Sequence, residues 1–241
     1  MTGRVVLVTG STHGMGKATA LRFASAGDNV VFNSAHSVEA GEKLAAETAG
    51  SRYIQADISN GDDCVRLIRE VIDHFGRLDV LVNNAAVTRI IEHSDLKAAS
   101  LDVWREIFEV NVFGPWNLSV LAMDHLRAAR GSIINVTSIA GVRAGGSSIP
   151  YAVSKAALNH ATTFLAKVVG PEVRVNAVAP GYVVTGWIAN SDAITDSVSS
   201  IAPLKRPGTP DDIAEVIFDL AQMEYVTGQV LVADGGLTLA M

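Results

Sequence analysis

The sequence predicts a doubly wound α/β fold, in which helices cover both faces of a parallel sheet. Short runs rich in β-branched residues alternate with segments of helical periodicity along the chain. The first of these runs leads directly into a glycine-rich turn and then into a helical segment, which is the arrangement of a βα unit. The 241 residues contain no linker or compositional break, so we expect one domain.

The elements follow one another in a regular order. Strands are predicted at residues 4–8, 29–33, 53–56, 78–82 and 132–136, and helices at 17–26, 38–49, 62–75, 104–127 and after Pro150. Ser59 is the predicted cap of the third helix. A sixth strand is expected to end before Asn176 and a last one to cover residues 229–233. In such a sheet, ligands bind outside the carboxyl ends of the strands.

The amino-acid composition limits the classes of function that this protein can have. A hydrophobic content of 49% is ample for a large core, and the net charge of −6 without a Lys/Arg run argues against a nucleic-acid partner. The single Cys64 excludes an internal disulfide, and the six histidines show no ligand spacing with carboxylates, so no metal site is predicted. The chain starts almost on a strand, and no apolar run approaches the roughly 18 residues of a membrane span. We therefore expect a soluble, cytoplasmic protein that does not enter a membrane.

Residues 9–16, which read TGSTHGMG, join the first strand to the first helix. Glycines let backbone N–H groups approach a pyrophosphate, and the helix N-terminus adds its positive end. The spacing G-x-x-x-G-x-G alone could be a plain tight turn, but the flanking strand and helix favour a Rossmann-type dinucleotide site. Asn83-Asn84-Ala85 follows the fourth strand at the same sheet edge. These asparagines could form a simple turn, yet we expect them to fix the strand ends and line the cofactor cleft.

Tyr151 and Lys155 lie four residues apart in the helix after Pro150, so they share one face. An ammonium roughly 5 Å from the phenol would lower the tyrosine pKa by roughly two units, toward neutral pH. Ser138, at the end of the fifth strand, could hydrogen-bond the oxygen that Tyr151 protonates. Taken alone, the pattern could also be a chance surface pair.

Asn111, in the middle of a predicted helix, is either a tolerated polar residue or, if the helix kinks, a residue that holds a water.

The second strand ends in Ser34, where enzymes of this fold that use NAD carry an Asp or Glu for the ribose 2′-hydroxyl. No carboxylate stands there to repel a 2′-phosphate, and Ser34, Ser37, His36 and His13 could bond it. We expect a preference for NADP(H) that weakens as the histidines lose their protons, with NAD(H) possible and a site indifferent between the two as the alternative.

These blocks, in this order, resemble the short-chain dehydrogenase/reductase family over essentially the whole chain, and most closely its 3-oxoacyl-carrier-protein-reductase-like ketoreductases. Asp57, residues 176–181 (NAVAPG) and residues 228–236 (GQVLVADGG) extend the resemblance, while Ala86 replaces a usual glycine. It implies a single-domain Rossmann-type α/β protein, 1–241, with a doubly wound, seven-stranded parallel sheet flanked by helices. It also implies a substrate lid at about 186–206.

The resemblance implies roles for individual residues. Tyr151 would be the acid/base, Ser138 would orient the carbonyl, Lys155 would bond the nicotinamide ribose, and Asn111 would hold a relay water. Asp57 would contact the adenine. The implied cofactor-binding set is Gly10, Ser11, Thr12, His13, Gly14, Met15, Gly16, Ser34, His36, Asp57, Ile58, Asn84, Ala85, Tyr151, Lys155, Pro180, Gly181, Val183 and Thr185.

The implied activity is reversible hydride transfer between NADP(H) and a small-molecule ketone or secondary alcohol, free or bound to an acyl carrier protein. Alternatives are an NAD-dependent secondary-alcohol dehydrogenase of the sugar, steroid or hydroxy-acid type, a dehydratase or epimerase, and a non-catalytic NAD(P)H sensor, which should lose Tyr151, Lys155 or Ser138.

Between Gly186 and Pro203, Ile194, Val198 and Ile201 recur at helical spacing after Trp187 and Ile188. Asp192 and Asp196 add negative charge to this stretch, and it contains no arginine. A neutral, fairly hydrophobic ketone is therefore expected, while Arg127, Arg130 and Arg143 could meet an acidic carrier. A homotetramer is expected through residues 156–169 and 229–233.

Overall fold

The computed structural model describes residues 3–185 and 192–240 and contains one sheet of seven parallel strands. The strands are β1 (Val5–Val8), β2 (Asn29–Ser34), β3 (Ser51–Gln55), β4 (Val80–Asn83), β5 (Ser132–Val136), β6 (Arg174–Pro180) and β7 (Val230–Ala233). Their order across the sheet is β3-β2-β1-β4-β5-β6-β7, which confirms the predicted doubly wound fold. The direction of winding reverses between β1 and β4, and ligand crevices of such sheets open at this point.

Helices cover both faces of the sheet. They are α1 (Gly14–Ser25), α2 (Val38–Glu47), α3 (Gly61–Phe75), α4 (Leu101–Phe108), α5 (Gly114–Ala129), α6 (Ile149–Val169), α7 (Asp192–Ile201) and α8 (Pro210–Gln222). Alternate residues of each strand point to opposite faces, so Val5 and Leu7 enter one core layer with α3, α5 and α6. Val6 and Val8 enter the other layer with α1 and α8. Two packed layers make the carboxyl edge of the sheet a rigid support.

The helix predicted at residues 104–127 is interrupted, because one turn of π-helix, Glu109–Phe113, separates α4 from α5. The N–H of Gly114 donates to the carbonyl of Glu109, five residues earlier. Asn111 is fully buried in this turn, where its Oδ1 accepts from the N–H of Val87 at 2.8 Å. Its Nδ2 donates to the Val87 carbonyl at 3.0 Å and to Ser154 Oγ at 3.1 Å. π-turns occur frequently at functional sites.

Two local predictions were wrong. Asn60, not Ser59, caps α3: its side chain accepts from the N–H groups of Asp62 and Asp63, while Ser59 Oγ donates to Asp57. Residues 176–180 belong to β6 rather than following it. The reason is that Asn176 is fully buried and completes the sheet edge, donating to the carbonyl of Val226 and accepting from the N–H of Gln229.

Candidate active site

The glycine loop between β1 and α1 leaves the N-terminal end of α1 without a side-chain cap. Gly10 and Gly14 have φ of 61° and 54°, the left-handed region that favours glycine. A Cβ at Gly16 would collide with the Gly10 carbonyl oxygen and with Asn84 Nδ2. No side chain caps α1, and its first turn holds no acidic residue. The free N–H groups and the positive helix end therefore suit a phosphate.

Thr9 and Asn84 hold this loop against the end of β4. Thr9 Oγ1 accepts from the N–H groups of Asn84 and Ala85, each at 3.0 Å. Asn84 Nδ2 donates to the carbonyls of Thr9 at 2.8 Å and Gly10 at 3.0 Å. The asparagine block thus fixes strand ends, as predicted. Thr9 was not singled out from the sequence, although a hydroxyl residue directly after a buried strand and before the glycines was the available signal.

A cleft of about 470 Å³ runs along the carboxyl ends of the strands from this loop. It brings together fourteen of the predicted cofactor residues: Gly10, His13, Gly14, Met15, Gly16, Ser34, His36, Asp57, Ile58, Asn84, Ala85, Tyr151, Lys155 and Thr185. Ala35, Ser59 and Val110 also line it, and sequence reasoning missed them. Its length along the switch point and its glycine wall fit an extended dinucleotide.

Three predicted residues lie behind the cleft and do not line it. Ser11 is fully buried; its Oγ donates to the Val8 carbonyl at 2.7 Å and accepts from the N–H of Asn33 at 2.9 Å, so it shapes the loop from below. Thr12 is also buried, with Oγ1 3.1 Å from His13 Nδ1. Asn111 occupies the π-turn described above. The side chains of these three residues therefore bond to other groups of this protein.

A second cavity of about 210 Å³ adjoins the first. It is lined by the predicted residues Met15, Ser138, Tyr151, Pro180, Gly181, Val183 and Thr185. Both cavities share Met15, Thr137, Tyr151 and Thr185, so Tyr151 stands where the two meet. Thr88, Arg143, Ser147, Tyr182 and Leu237 also line the second cavity, and nothing in the sequence indicated their place there.

Two capping serines position the candidate catalytic groups. Ser138 follows β5 and accepts from the N–H of Ala140 at 3.1 Å, which starts a short 3₁₀ turn. Ser148 Oγ accepts from the N–H of Tyr151 at 3.3 Å and so begins α6. The Tyr151 hydroxyl is hydrogen-bonded to the Ser138 side chain. Lys155 lies one turn further along α6, with Nζ 5.7 Å from the Tyr151 ring centre.

The prediction that Lys155 lowers the Tyr151 pKa was wrong. Burial raises the pKa of Tyr151 to about 12, because the apolar surroundings disfavour the phenolate, and the hydrogen bond with Ser138 only partly opposes this. Burial also lowers the pKa of Lys155 to about 8. Its ammonium donates to the Val136 carbonyl at 2.9 Å. At neutral pH the pair is therefore a phenol beside an ammonium, which is the state of a proton donor.

Replacing Lys155 by Met is expected to stabilise the fold at pH 7 by about 1 to 3 kcal/mol. The Lys155 pKa falls from 10.5 in the unfolded chain to about 8 in the folded one, so the unfolded state binds the proton more tightly. Stability of the unmodified protein then rises as pH increases from about 8 to 10.5, and the advantage of Lys155→Met should shrink by about 2 kcal/mol between pH 7 and pH 9.5. Denaturant unfolding of both proteins at pH 7 and pH 9.5 measures this difference in the free energy of unfolding. The same difference at both pH values would contradict the prediction.

Among residues 3–185 and 192–240, no group of three or more His, Cys, Asp or Glu side chains is placed to hold a metal ion. In the same part of the chain, no helix has the length and apolar character needed to cross a membrane.

Comparisons with known proteins agree with this geometry. A family model described as enoyl-(acyl carrier protein) reductase matches residues 10–238. A protein named as ketoacyl reductase 2 of the granaticin polyketide synthase of Streptomyces violaceoruber is 52% identical over 239 residues, which cover 98% of this chain and 96% of the relative. The 3-oxoacyl-[acyl-carrier-protein] reductase of a Synechocystis strain is 36% identical over 249 residues, 99% and 98% of the two chains.

Among solved structures, a gluconate 5-dehydrogenase from Burkholderia cenocepacia, in complex with NADP and tartrate, superposes with a TM-score of 0.91 at 30% identity. The match covers 100% of this chain and 97% of that one.

Proposed function

The chain belongs to the short-chain dehydrogenase/reductase family, as an oxidoreductase of the ketoacyl-reductase-like kind, and from this premise we propose that it reduces a ketone reversibly with NADP(H). The observation that carries the proposal is the position of Tyr151, which joins the nucleotide-sized cleft to the smaller cavity. The larger cleft is the proposed cofactor site, and the smaller cavity is the proposed site of the ketone.

The cofactor fits residues that the structure brings together. NADP(H), when bound, supplies the hydride for reduction and accepts it in the reverse direction. The uncapped first turn of α1 would hold the pyrophosphate, and Asp57 the adenine. Lys155 would bond the nicotinamide ribose: its buried ammonium lines the cleft and donates one hydrogen bond to the protein, to Val136, which leaves donors for hydroxyls. Pro180, Gly181 and Thr185 would hold the nicotinamide amide.

In the proposed reaction, side chains of this protein supply the proton that the substrate oxygen receives. With its pKa raised to about 12, Tyr151 is protonated at neutral pH and can give its proton to the substrate oxygen. Ser138, already bonded to the Tyr151 hydroxyl, would orient the same oxygen. Asn111 would hold the relay water through the backbone of the π-turn, since its side chain is committed to Val87 and Ser154.

The experiment is turnover of a ketone panel, free and carrier-bound, followed by loss of NADPH absorbance. The proposal expects NADPH consumption equal to alcohol formed. Product without net NADPH consumption would favour dehydration or epimerisation instead. An NAD-dependent dehydrogenase of a sugar or hydroxy acid would show the same chemistry with the opposite cofactor preference.

We further propose that residues about 186–206 form the substrate lid. Trp187 and Ile188 lie outside the described residues. In α7, Val198 is buried in a small cluster with Ala202 and Leu237 that packs against Ile139 and Tyr182. Leu237, Ile139 and Tyr182 all line the smaller cavity, so α7 packs directly on its wall. That contact supports a lid over the ketone.

We propose a homotetramer, because apolar side chains stay exposed on the two expected surfaces. Phe164 is 57% and Val168 67% exposed on α6, and Leu231 is 43% exposed on β7. Light scattering of the unmodified protein at micromolar concentration is expected to give four chains. Val168→Asp should break the assembly into smaller species, whereas Val65→Asp, at a half-exposed site on α3, should not. A monomeric unmodified protein would refute the proposal.

A further inference from the structure

Arg143 is the one charged residue that lines the smaller cavity among the residues that the structure describes. It follows the 3₁₀ turn that starts at Ser138, and its N–H donates to the Ile139 carbonyl at 2.8 Å, which attaches it to the wall that holds the catalytic serine. The remaining lining residues are apolar, glycine or hydroxyl-bearing. As the charged residue on this wall, Arg143 is the candidate to select the charge of what binds beside Tyr151.

Arg143 differs from most arginines of this chain in having no side-chain partner within the part of the chain that the structure describes. Nine described arginines are paired with carboxylates, such as Arg89 with Glu106, and Arg174 donates to backbone carbonyls at the end of α8. Only Arg69, Arg130 and Arg143 have no side-chain partner among the described residues. Arg69 and Arg130 line neither cavity described above. Arg143 therefore presents its donor fork unengaged.

We propose that Arg143 selects substrates that carry an anionic group, by pairing its guanidinium with a carboxylate or a phosphate monoester or diester. A planar guanidinium binds such oxyanions through two parallel hydrogen bonds, and these charge-assisted bonds are the strong ones. The inference rests on the proposed ketone reduction and names the chemistry of its substrate. It departs from the neutral ketone predicted from the lid sequence, because that prediction counted only the charges of the lid.

Two sources of the anion share this chemistry, and matched substrate pairs distinguish them. The first pair is a keto acid and its methyl ester. The second is one 3-oxoacyl chain as its phosphopantetheine thioester and as its pantetheine thioester, which lacks only the phosphate. For each pair the quantity measured is the ratio of kcat/KM for the anionic member to that for the neutral one, which removes effects shared by both members.

The unmodified protein is expected to prefer the anionic member of at least one pair. Arg143→Gln should lower that ratio by about 10- to 100-fold, the range of a charge-assisted hydrogen bond, and Arg143→Lys should lower it less. Arg69→Gln removes an unpaired arginine on α3, away from both cavities, and should leave the ratio unchanged. The pair that responds identifies the anion as a carboxylate or a phosphate.

The proposal is overturned if the unmodified protein prefers the neutral member of both pairs, or if Arg143→Gln leaves both ratios unchanged. These failures are distinct from failure of the proposed ketone reduction, which would appear as absence of NADPH oxidation with the neutral members as well. Circular dichroism of each variant confirms folding, and Arg143 is exposed, so its replacement is not expected to disturb the core.

Discussion

Tyr151→Phe is expected to lower kcat for ketone reduction by a factor of about 10² to 10⁴ while NADPH still binds. The substitution removes one hydroxyl, which is the proposed proton donor at the junction of the two cavities and the partner of Ser138. The ring stays, so the buried contacts of α6 and the wall of the cofactor cleft are retained. Turnover measures the loss, and NADPH fluorescence titration shows whether the cleft remains intact.

Tyr182→Phe provides the matched control, because it also removes a phenol hydroxyl from the wall of the smaller cavity. That hydroxyl lies 3.4 Å from Thr195 Oγ1 on α7, and we expect its loss to cost less than about tenfold in kcat. Near-normal turnover by a folded Tyr151→Phe protein would show that another group supplies the proton. Equal losses in the two variants would show that the cavity, not the proton donor, had been damaged.

The sequence was enough to predict the strands, the glycine turn and the helix that carry the candidate site. Runs such as Val5–Val8 carry β-branched residues that a helix would not favour, and their alternation with helical segments predicts parallel strands. The i, i+4 spacing of Tyr151 and Lys155 requires only that α6 be a helix. The spacing of Gly10, Gly14 and Gly16 requires only a βα turn. Each of these predictions depends only on local geometry, which can be predicted directly from residue spacing and from the periodicity of apolar residues.

What could not be predicted depends on burial and on contacts between distant segments. The direction of the Tyr151 pKa shift is set by how completely the ring is removed from solvent, and helical spacing carries no information on depth. Asn111 meets Val87 from 24 residues away, and this contact belongs to the π-turn. The place of Arg143 on the cavity wall likewise depends on the path of the loop after Ser138. This loop is rich in glycine and serine, and such a composition does not predict one path.

Ser34→Asp is expected to reverse the cofactor preference from NADPH to NADH, lowering kcat/KM with NADPH by about 10²-fold or more. Ser34 ends β2 and lines the cleft with Ala35, His36 and Ser37, a stretch without a carboxylate. An aspartate there would repel a 2′-phosphate, since two like charges about 4 Å apart at an effective dielectric of about 20 cost roughly 4 kcal/mol. The same carboxylate can accept a hydrogen bond from the 2′-hydroxyl of NADH.

Ser34→Asn separates charge from shape in this experiment. Ser34 Oγ lies 2.9 Å from the Tyr53 hydroxyl, so any larger side chain at this position disturbs that contact. Asn has nearly the size of Asp but no charge, and it should lower NADPH use far less than Asp does. The measurement is kcat/KM with each cofactor on one ketone for the three proteins. A clear advantage for NADH in the unmodified protein would defeat the NADP(H) assignment, and equal losses in the Asn and Asp variants would attribute the effect to the Tyr53 contact rather than to charge.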